Sequence, residues 1–555
     1  MMTLYHGSRI LLKGSYIVMK VKSLVKLGGV GLLSALVLAG CGSKSSQQKT
    51  EKVNWMMPAS ISTMDASKVT DLYSSQFLNA TNEGLLRMGK GKTTPGVAKN
   101  YTISKDGKTW TFNLRKSKWN DGKPVTAKDF VFAWRRTVTP KTASEYAYNF
   151  ANVQNATKIN AGKMSPSKLG VKADGNYKLV VKLVKPQSYF KFLVAQSYYL
   201  PQEPSVVNKY GNAYGTNAKK NAYNGPFVLK GWTGTNDTAQ LVKNPKYWNA
   251  KSIKLDKLNV QAIKDPSTAL NSYQSGKLDF TTLNGTQVKQ YKNNKDYHDY
   301  LEASSSYMEM NEKKDPIFKN KDIRKAMSLA IDKSQLATKV IGDGSIAPKG
   351  YVPTKMNSRN GKDFADQAYV KSGVAYNLTE AKKLWAKGLK ETGKKSVDVA
   401  LLCDDVDQTV KNAQFVQSQL NKLPGMKVTI QNVPFKNRLS RSQNGQFDLV
   451  LSAWIADYPD PTNFLDLFKS DNSYNNGKWK NAQYDALMKK AEGVDANNES
   501  ARWTDMVQAE KVLMNDQGIV PLFQQGESTL MKSKVQGVQF FPTSPQWDWS
   551  KVSVK

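Results

Sequence analysis

Cysteine and histidine are nearly missing from this chain, two of each in 555 residues. Cys41 and Cys403 allow one disulfide at most, so no disulfide framework holds the fold. With His6 in a segment read below as removed and Cys41 read as lipidated, the one histidine and one free cysteine left cannot build a usual zinc site. A Ser-His-Asp triad would rest on His298, because His6 lies in a segment read below as removed. His298 sits among Asp296, Tyr297, Asp299 and Tyr300, a polar and exposed setting. Acidic residues are scarce as well, 45 against 81 Lys and Arg, a formal charge of +36. No basic helix, zinc motif or RNP-like strand accompanies that charge, so it does not point to nucleic acid. Spread along the chain as lysine, it reads as a soluble surface facing anionic lipid and wall polymers.

Long greasy runs are lacking too. Leu27–Leu38 is apolar but short of the roughly 20 residues that span a bilayer. Lys20, Lys22 and Lys26 precede it, and Leu38-Ala39-Gly40-Cys41 ends it. A charged start, a greasy middle and a small-residue end resemble a bacterial lipoprotein signal closing in a lipobox. That resemblance implies that Cys41 carries a diacylglyceryl group and becomes the mature N-terminus. Two acyl chains anchor firmly, at about 0.8 kcal/mol per buried CH₂. The expected layout is a signal over 1–40, with Met19 as the true start and 1–18 an extension of the gene model. A flexible Ser/Gln/Lys tether follows over 41–52. The expected location is the outer face of a cell membrane, in a Gram-positive cell. Cys403 then has no partner. Val397–Cys403 reads as a buried strand, which makes its thiol a small core hydrophobe.

The 515 residues left after position 40 exceed one core and call for two or three lobes. Tyr177–Leu183 alternates with period two. Asp322–Ile331 spaces its apolar residues as a helix, and Thr379–Leu389 predicts an amphipathic helix capped at Thr379 or Asn377. Lys427–Val433 and Phe447–Leu451 predict strands. Mixed elements of this kind indicate α/β lobes.

Four stretches carry more. Pro95–Tyr101 and Ser104–Arg115 lead into Trp119–Val131 and Trp134-Arg135-Arg136. They read as a hairpin closed by Asp106-Gly107, a turn at Asp121-Gly122, and a helix capped by Thr126. Asn224–Trp232 with Asn244–Trp248, then Asp322–Lys333, then Trp454–Leu465 complete the set. Together they resemble the extracellular solute-binding proteins of oligopeptide and dipeptide ABC importers, across essentially the whole mature chain. The resemblance implies an α/β, two-lobed periplasmic-binding-protein-like fold of type II, with a hinge of two crossing strands and an extra third domain. The implied division is lobe I over 53–94, 225–306 and 521–555, the extra domain over 95–224, and lobe III over 307–520. The hinge crossings are expected near Ser306–Asn311 and Ile519–Phe523. Closure about them would enclose the ligand.

The resemblance also implies a site. Thr70-Asp71-Leu72 and Ala453-Trp454-Ile455-Ala456 would flank an extended peptide, pairing with it as an added strand. Asp457 would take the ligand's ammonium, with Asp460 more suited to shaping the turn before Pro461. Trp454 would wall a side-chain pocket, and Tyr146 would reach the cleft from the other lobe. Some enterobacterial members have a cysteine where Ile455 stands and a carboxylate-binding arginine where Leu451 stands. Arg438 and Arg441 are candidate substitutes. No cofactor and no catalysis are expected. The expected partners are oligopeptides, an ABC permease and its ATPase, with the protein itself a monomer. Other readings are a nickel complex, haem or sugar in the same cleft, a pheromone sensor or adhesin, and a secreted hydrolase built on Asp457 and Asp460.

Overall fold

Lys52–Met57 sends Val53 and Trp55 inward while Lys52 faces solvent, the two-residue period of a sheet covered on its inner face. A computed structural model describes residues 50–89 and 92–555; the signal, Cys41 and nearly all of the tether lie outside them. Around Lys52–Met57 a seven-stranded sheet forms in the order 227–230, 238–243, 257–262, 52–57, 280–282, 526–531, 297–301. Lys52–Met57 runs parallel to Lys257–Ala262, and the outer pairs are antiparallel. Trp55 stacks on Phe280 with centroids 3.7 Å apart, at the centre of this core. The two ends of the described chain meet here: Glu51 Oε2 accepts from the Val554 N–H at 3.0 Å.

A five-stranded sheet forms the second lobe, in the order 426–433, 397–404, 449–455, 304–310, 520–523. Cys403 is buried in it, and burial pushes its thiol up to about 11, so it stays a protonated core residue. The helix beside it spans Leu378–Thr392, and of the two candidate caps Asn377 serves, accepting from the Glu380 N–H at 3.0 Å. A third, four-stranded antiparallel sheet carries the Asp106-Gly107 hairpin, where Gly107 takes φ +69 as a tight turn demands. The helix Ala127–Val138 begins after Thr126, whose N–H donates to Asp129 Oδ2 at 2.8 Å. Trp134, from this helix, donates its indole N–H to Tyr199 O at 2.9 Å.

The chain passes between the first two sheets twice. Leu301 ends a strand of the first and Ser304 begins one of the second; Phe523 and Gly526 mark the return. The crossings are therefore Glu302-Ala303 and Gln524-Gln525, a few residues from Ser306–Asn311 and Ile519–Phe523. Both expected segments are strand-like because they lie within the second sheet: Ser306 pairs with Ala453 and Met310 with Leu449. The two crossings hold each other. Gln524 Nε2 donates to Glu302 O at 2.7 Å, and the Glu302 N–H to Gln525 O at 3.0 Å.

The sequence landmarks close structural locks rather than a reaction centre. Arg136 grips Asp65 with two bonds of 2.7 Å. Asn224 takes the Glu83 N–H at 2.9 Å and donates to Glu83 O at 3.0 Å, while Tyr247 and Trp248 donate to the Glu83 carboxylate. Arg324, 3 % exposed, donates to Phe318 O and to Asp516. Each lock satisfies a buried polar group whose isolation would be costly.

Candidate functional site

The strand Leu449–Ile455 is paired on one edge from Leu449 to Ile455, all against Ser304–Met310. Its other edge pairs with Val397–Asp404 only at Leu449 and Val450. From Leu451 to Ile455 that second edge has no strand partner among the described residues. Ala453 and Ile455 are exposed, so a segment of backbone and two side chains face open space. An unpaired edge of this kind is a template for an incoming extended chain.

Two residues past that edge stands Asp457. Its N–H donates to Asn463 Oδ1 at 3.1 Å, its carbonyl accepts from Gln196 Nε2, and the Asn463 side chain bonds its carboxyl. No cation among the described residues pairs with that carboxyl. Burial pushes it up to about 7, against the smaller opposing effect of Asn463. Tyrosines surround it. Burial first, and the Asp457 charge with it, hold the phenols of Tyr146, Tyr148 and Tyr198 above their ordinary range, and Tyr474 feels the same charge. Tyr146 lies 4.9 Å from Tyr198, and Tyr148 6.3 Å from Tyr474, centroid to centroid. Trp454 meets Tyr474 edge-on at 5.3 Å and donates its indole N–H to Asn463 Oδ1 at 2.9 Å. The result is a carboxylate in an aromatic ring of walls, a setting that suits an ammonium group.

Asp460, three positions on, is the opposite case. Arg502 donates to it at 2.9 and 2.7 Å, and the Thr462 N–H and hydroxyl donate at 3.1 and 2.6 Å. Burial acts to raise its pKa, yet Arg502 and these bonds bring it below the usual carboxylate value. It is committed to the turn and to Arg502, and is not available as a second acid beside Asp457.

Other expected site residues divide. Thr70 is exposed and Asp71 half-buried. The Asp71 carboxylate caps the helix Leu72–Thr81, taking the Ser74 N–H at 2.7 Å and the Ser62 hydroxyl. Leu72 joins Ala453 and Ile455 on one recess. Ala456 departs from the expectation. Its N–H donates to Ala303 O at 2.8 Å, its carbonyl accepts from the Ser544 N–H at 3.2 Å, and its side chain is buried. Both its backbone groups are taken, so the open edge ends at Ile455. The two candidate arginines differ in their partners. Arg438 pairs with Asp404 at 3.0 Å and Arg441 donates to Gln431 at 2.7 Å. Tyr148, Tyr198, Tyr474, Gln196 and Asn463 are additional residues of the site. The tyrosine pairs Tyr146/Tyr148 and Tyr198/Tyr199 were the one signal of them in the sequence.

The site lies where the second lobe meets the domain of the four-stranded sheet, and other contacts bridge the same border. Tyr189 stacks on Tyr458 at 5.1 Å, and Lys185 reaches Glu492 at 2.9 Å.

The model of the bacterial extracellular solute-binding proteins, family 5, matches residues 92–476. A dipeptide-binding protein of Lactococcus lactis subsp. cremoris is 37% identical over 97% of this chain and 100% of its own length. The solved structure of Listeria monocytogenes OppA bound to peptide is similar at a TM-score of 0.78, with 37% identity over 91% of this chain and 99% of that one. The peptide-binding pheromone receptor PrgZ gives a TM-score of 0.78 at 34% identity, over 91% of this chain and all of its own. The chain therefore belongs to the family 5 extracellular solute-binding proteins.

Proposed function

We propose that this chain is the oligopeptide-capturing component of an ABC importer, held to the outside of the membrane by a lipid on Cys41. The observation that carries the peptide reading is the open strand edge Leu451–Ile455 running up to an Asp457 carboxylate without a cation. The edge bonds what all peptides share, their backbone, and Asp457 takes the ammonium that all free peptides carry. Tyr198, buried, and Tyr146, half-buried, wall that pair on one side, and exclusion of water there strengthens it. Closure about Glu302-Ala303 and Gln524-Gln525 would bring the walls together over the ligand, and a permease with its ATPase would receive it. The relatives' names support peptides over a metal complex, haem or sugar.

Purifying the protein from its cells, denaturing it and sequencing what is released tests the reading. A ladder of varied short peptides is expected. One defined peptide would assign a signalling role, for which the likeness to a pheromone receptor is the support. A released sugar or metal complex would overturn the peptide reading. For the anchor, Cys41→Ser is expected to leave the protein unprocessed or in the medium; membrane-bound mutant of mature size would contradict it.

A further inference from the structure

The recess shared by Leu72, Ala453 and Ile455 opens off the same strand edge. It measures about 230 Å³, smaller than the roughly 300–1,000 Å³ of pockets for whole ligands and on the scale of one long side chain. Leu72, Ala453 and Ile455 line it on the side of the open edge. Trp55 and Phe280, stacked at 3.7 Å, and Trp547, edge-on to both at 5.3 and 5.2 Å, form an aromatic wall.

Two carboxylates also line it, Glu302 and Glu527, from the crossing segment and the strand after the return. Their sequence positions are far apart; the double passage between sheets brings them together. Glu302 is 8 % exposed and Glu527 half-buried. Neither pairs with a cation among the described residues, and the recess has no Lys, Arg or His in its lining. The Glu527 carboxylate accepts no hydrogen bond among the described residues. Gln546, 2 % exposed and lining the same recess, turns its side-chain amide toward Glu302, which eases but does not offset the effect of burial. Tyr73 faces both carboxylates: burial and then their charges raise its phenol. Asp343 adds a third negative charge nearby, itself satisfied by the Ser345 N–H and Gln525 Nε2, each at 3.0 Å. Burial pushes Glu302 up to about 7 and, with repulsion from Glu302 and Asp343, Glu527 up to about 8. Like Asp457, these two carboxylates have no cation among the described residues; unlike it, they stand together on one recess.

We propose that this recess is a specificity subsite for a cationic side chain of the captured peptide, lysine or arginine. The inference rests on the peptide reading above. A guanidinium or ammonium entering it gains two charge-assisted partners and an aromatic wall. An aliphatic side chain leaves both carboxyls uncompensated, and an acidic one adds to the repulsion.

The test is calorimetry on the full chain with pentaalanine and a panel of its variants carrying lysine, norleucine or glutamate at each position in turn. One position is expected at which lysine binds at least about tenfold tighter than norleucine, and glutamate weaker than both. In Glu527→Gln, and further in Glu302→Gln/Glu527→Gln, the lysine-to-norleucine ratio at that position is expected to fall toward one. Because the ratio is internal to each variant, a general loss of affinity does not mimic it. Norleucine equal to lysine at every position while pentaalanine itself binds would overturn the subsite and leave the peptide reading intact. A preference that survives the double substitution would overturn the assignment to these residues. A panel in which no peptide binds would overturn both.

Discussion

Asp457 and Asp460 lie in one loop, three residues apart, and the fold treats them oppositely. Asp460 is locked by Arg502 and by Thr462, and its carboxyl is more acidic than usual. Asp457 has one amide, a ring of tyrosines and no cation, and burial makes its carboxyl less acidic, at about 7. Asp65 with Arg136 and Asp516 with Arg324 are ion-paired like Asp460; Glu302 and Glu527 follow the second pattern. The contrast separates carboxylates that hold the protein together from those that wait for a charge from outside. A buried carboxylate without a cation is not by itself a site, since Glu510 rests on the Tyr351 and Val352 N–H groups inside the core; one that also borders an open strand edge or a recess is where a ligand's charge would be received.

The largest effect that would break this comparison is on stability. Asp460→Ala leaves Arg502 buried without its partner, and denaturant unfolding should show a loss of about 3–5 kcal/mol. An unchanged unfolding curve would place Asp460 with Asp457 after all. Asp457→Ala should do the reverse, keeping the fold while weakening pentaalanine binding by roughly 2–5 kcal/mol in calorimetry. Wild-type affinity in that variant would remove Asp457 from the site.

Acidity sharpens the pair further. Only the ionised Asp457 pairs with an ammonium, so pentaalanine affinity should fall by up to about tenfold per unit as pH drops below 7. Asp457→Asn should flatten that slope. The stability contribution has the opposite sign. The folded-state value lies above the ordinary value of 3.8, so this group favours folding most below 3.8 and loses that contribution as pH rises through about 7. The unliganded protein should thus melt lower at pH 8 than at pH 6 by an increment that Asp457→Asn removes. Smallest is Trp454→Phe, which keeps the edge contact with Tyr474 and loses the bond to Asn463. It should weaken pentaalanine binding by about 0.5–1.5 kcal/mol, and no change would make Trp454 a bystander.

Local chemistry made much of the fold legible from residues alone. Asp106-Gly107 needs a left-handed turn, Thr126 and Asp129 sit at capping distance, and Cys403 lies in an unbroken apolar run. The crossings Glu302-Ala303 and Gln524-Gln525 lie beside the segments that the family resemblance implies, and a strand's own pattern reports that it is buried, not in which sheet. Asp457 and Trp454 stood out only through the family resemblance, since Asp-Tyr-Pro-Asp-Pro reads equally as a turn. Ala456 looked like its neighbours until Ala303 and Ser544 took its backbone groups. Glu302 and Glu527 had no sequence signal: each is a lone acid beside a strand, and their meaning comes from the two crossings that bring them to one recess.

The central claim is that Asp457 waits for a peptide's ammonium. Calorimetry of the full chain with pentaalanine and with N-acetyl-pentaalanine tests it most directly, because acetylation removes that one charge and leaves the backbone. The account predicts that the acetylated peptide binds at least about 100-fold more weakly in the wild type, with the difference gone in Asp457→Ala. Equal affinity of the two peptides for the wild type would contradict it.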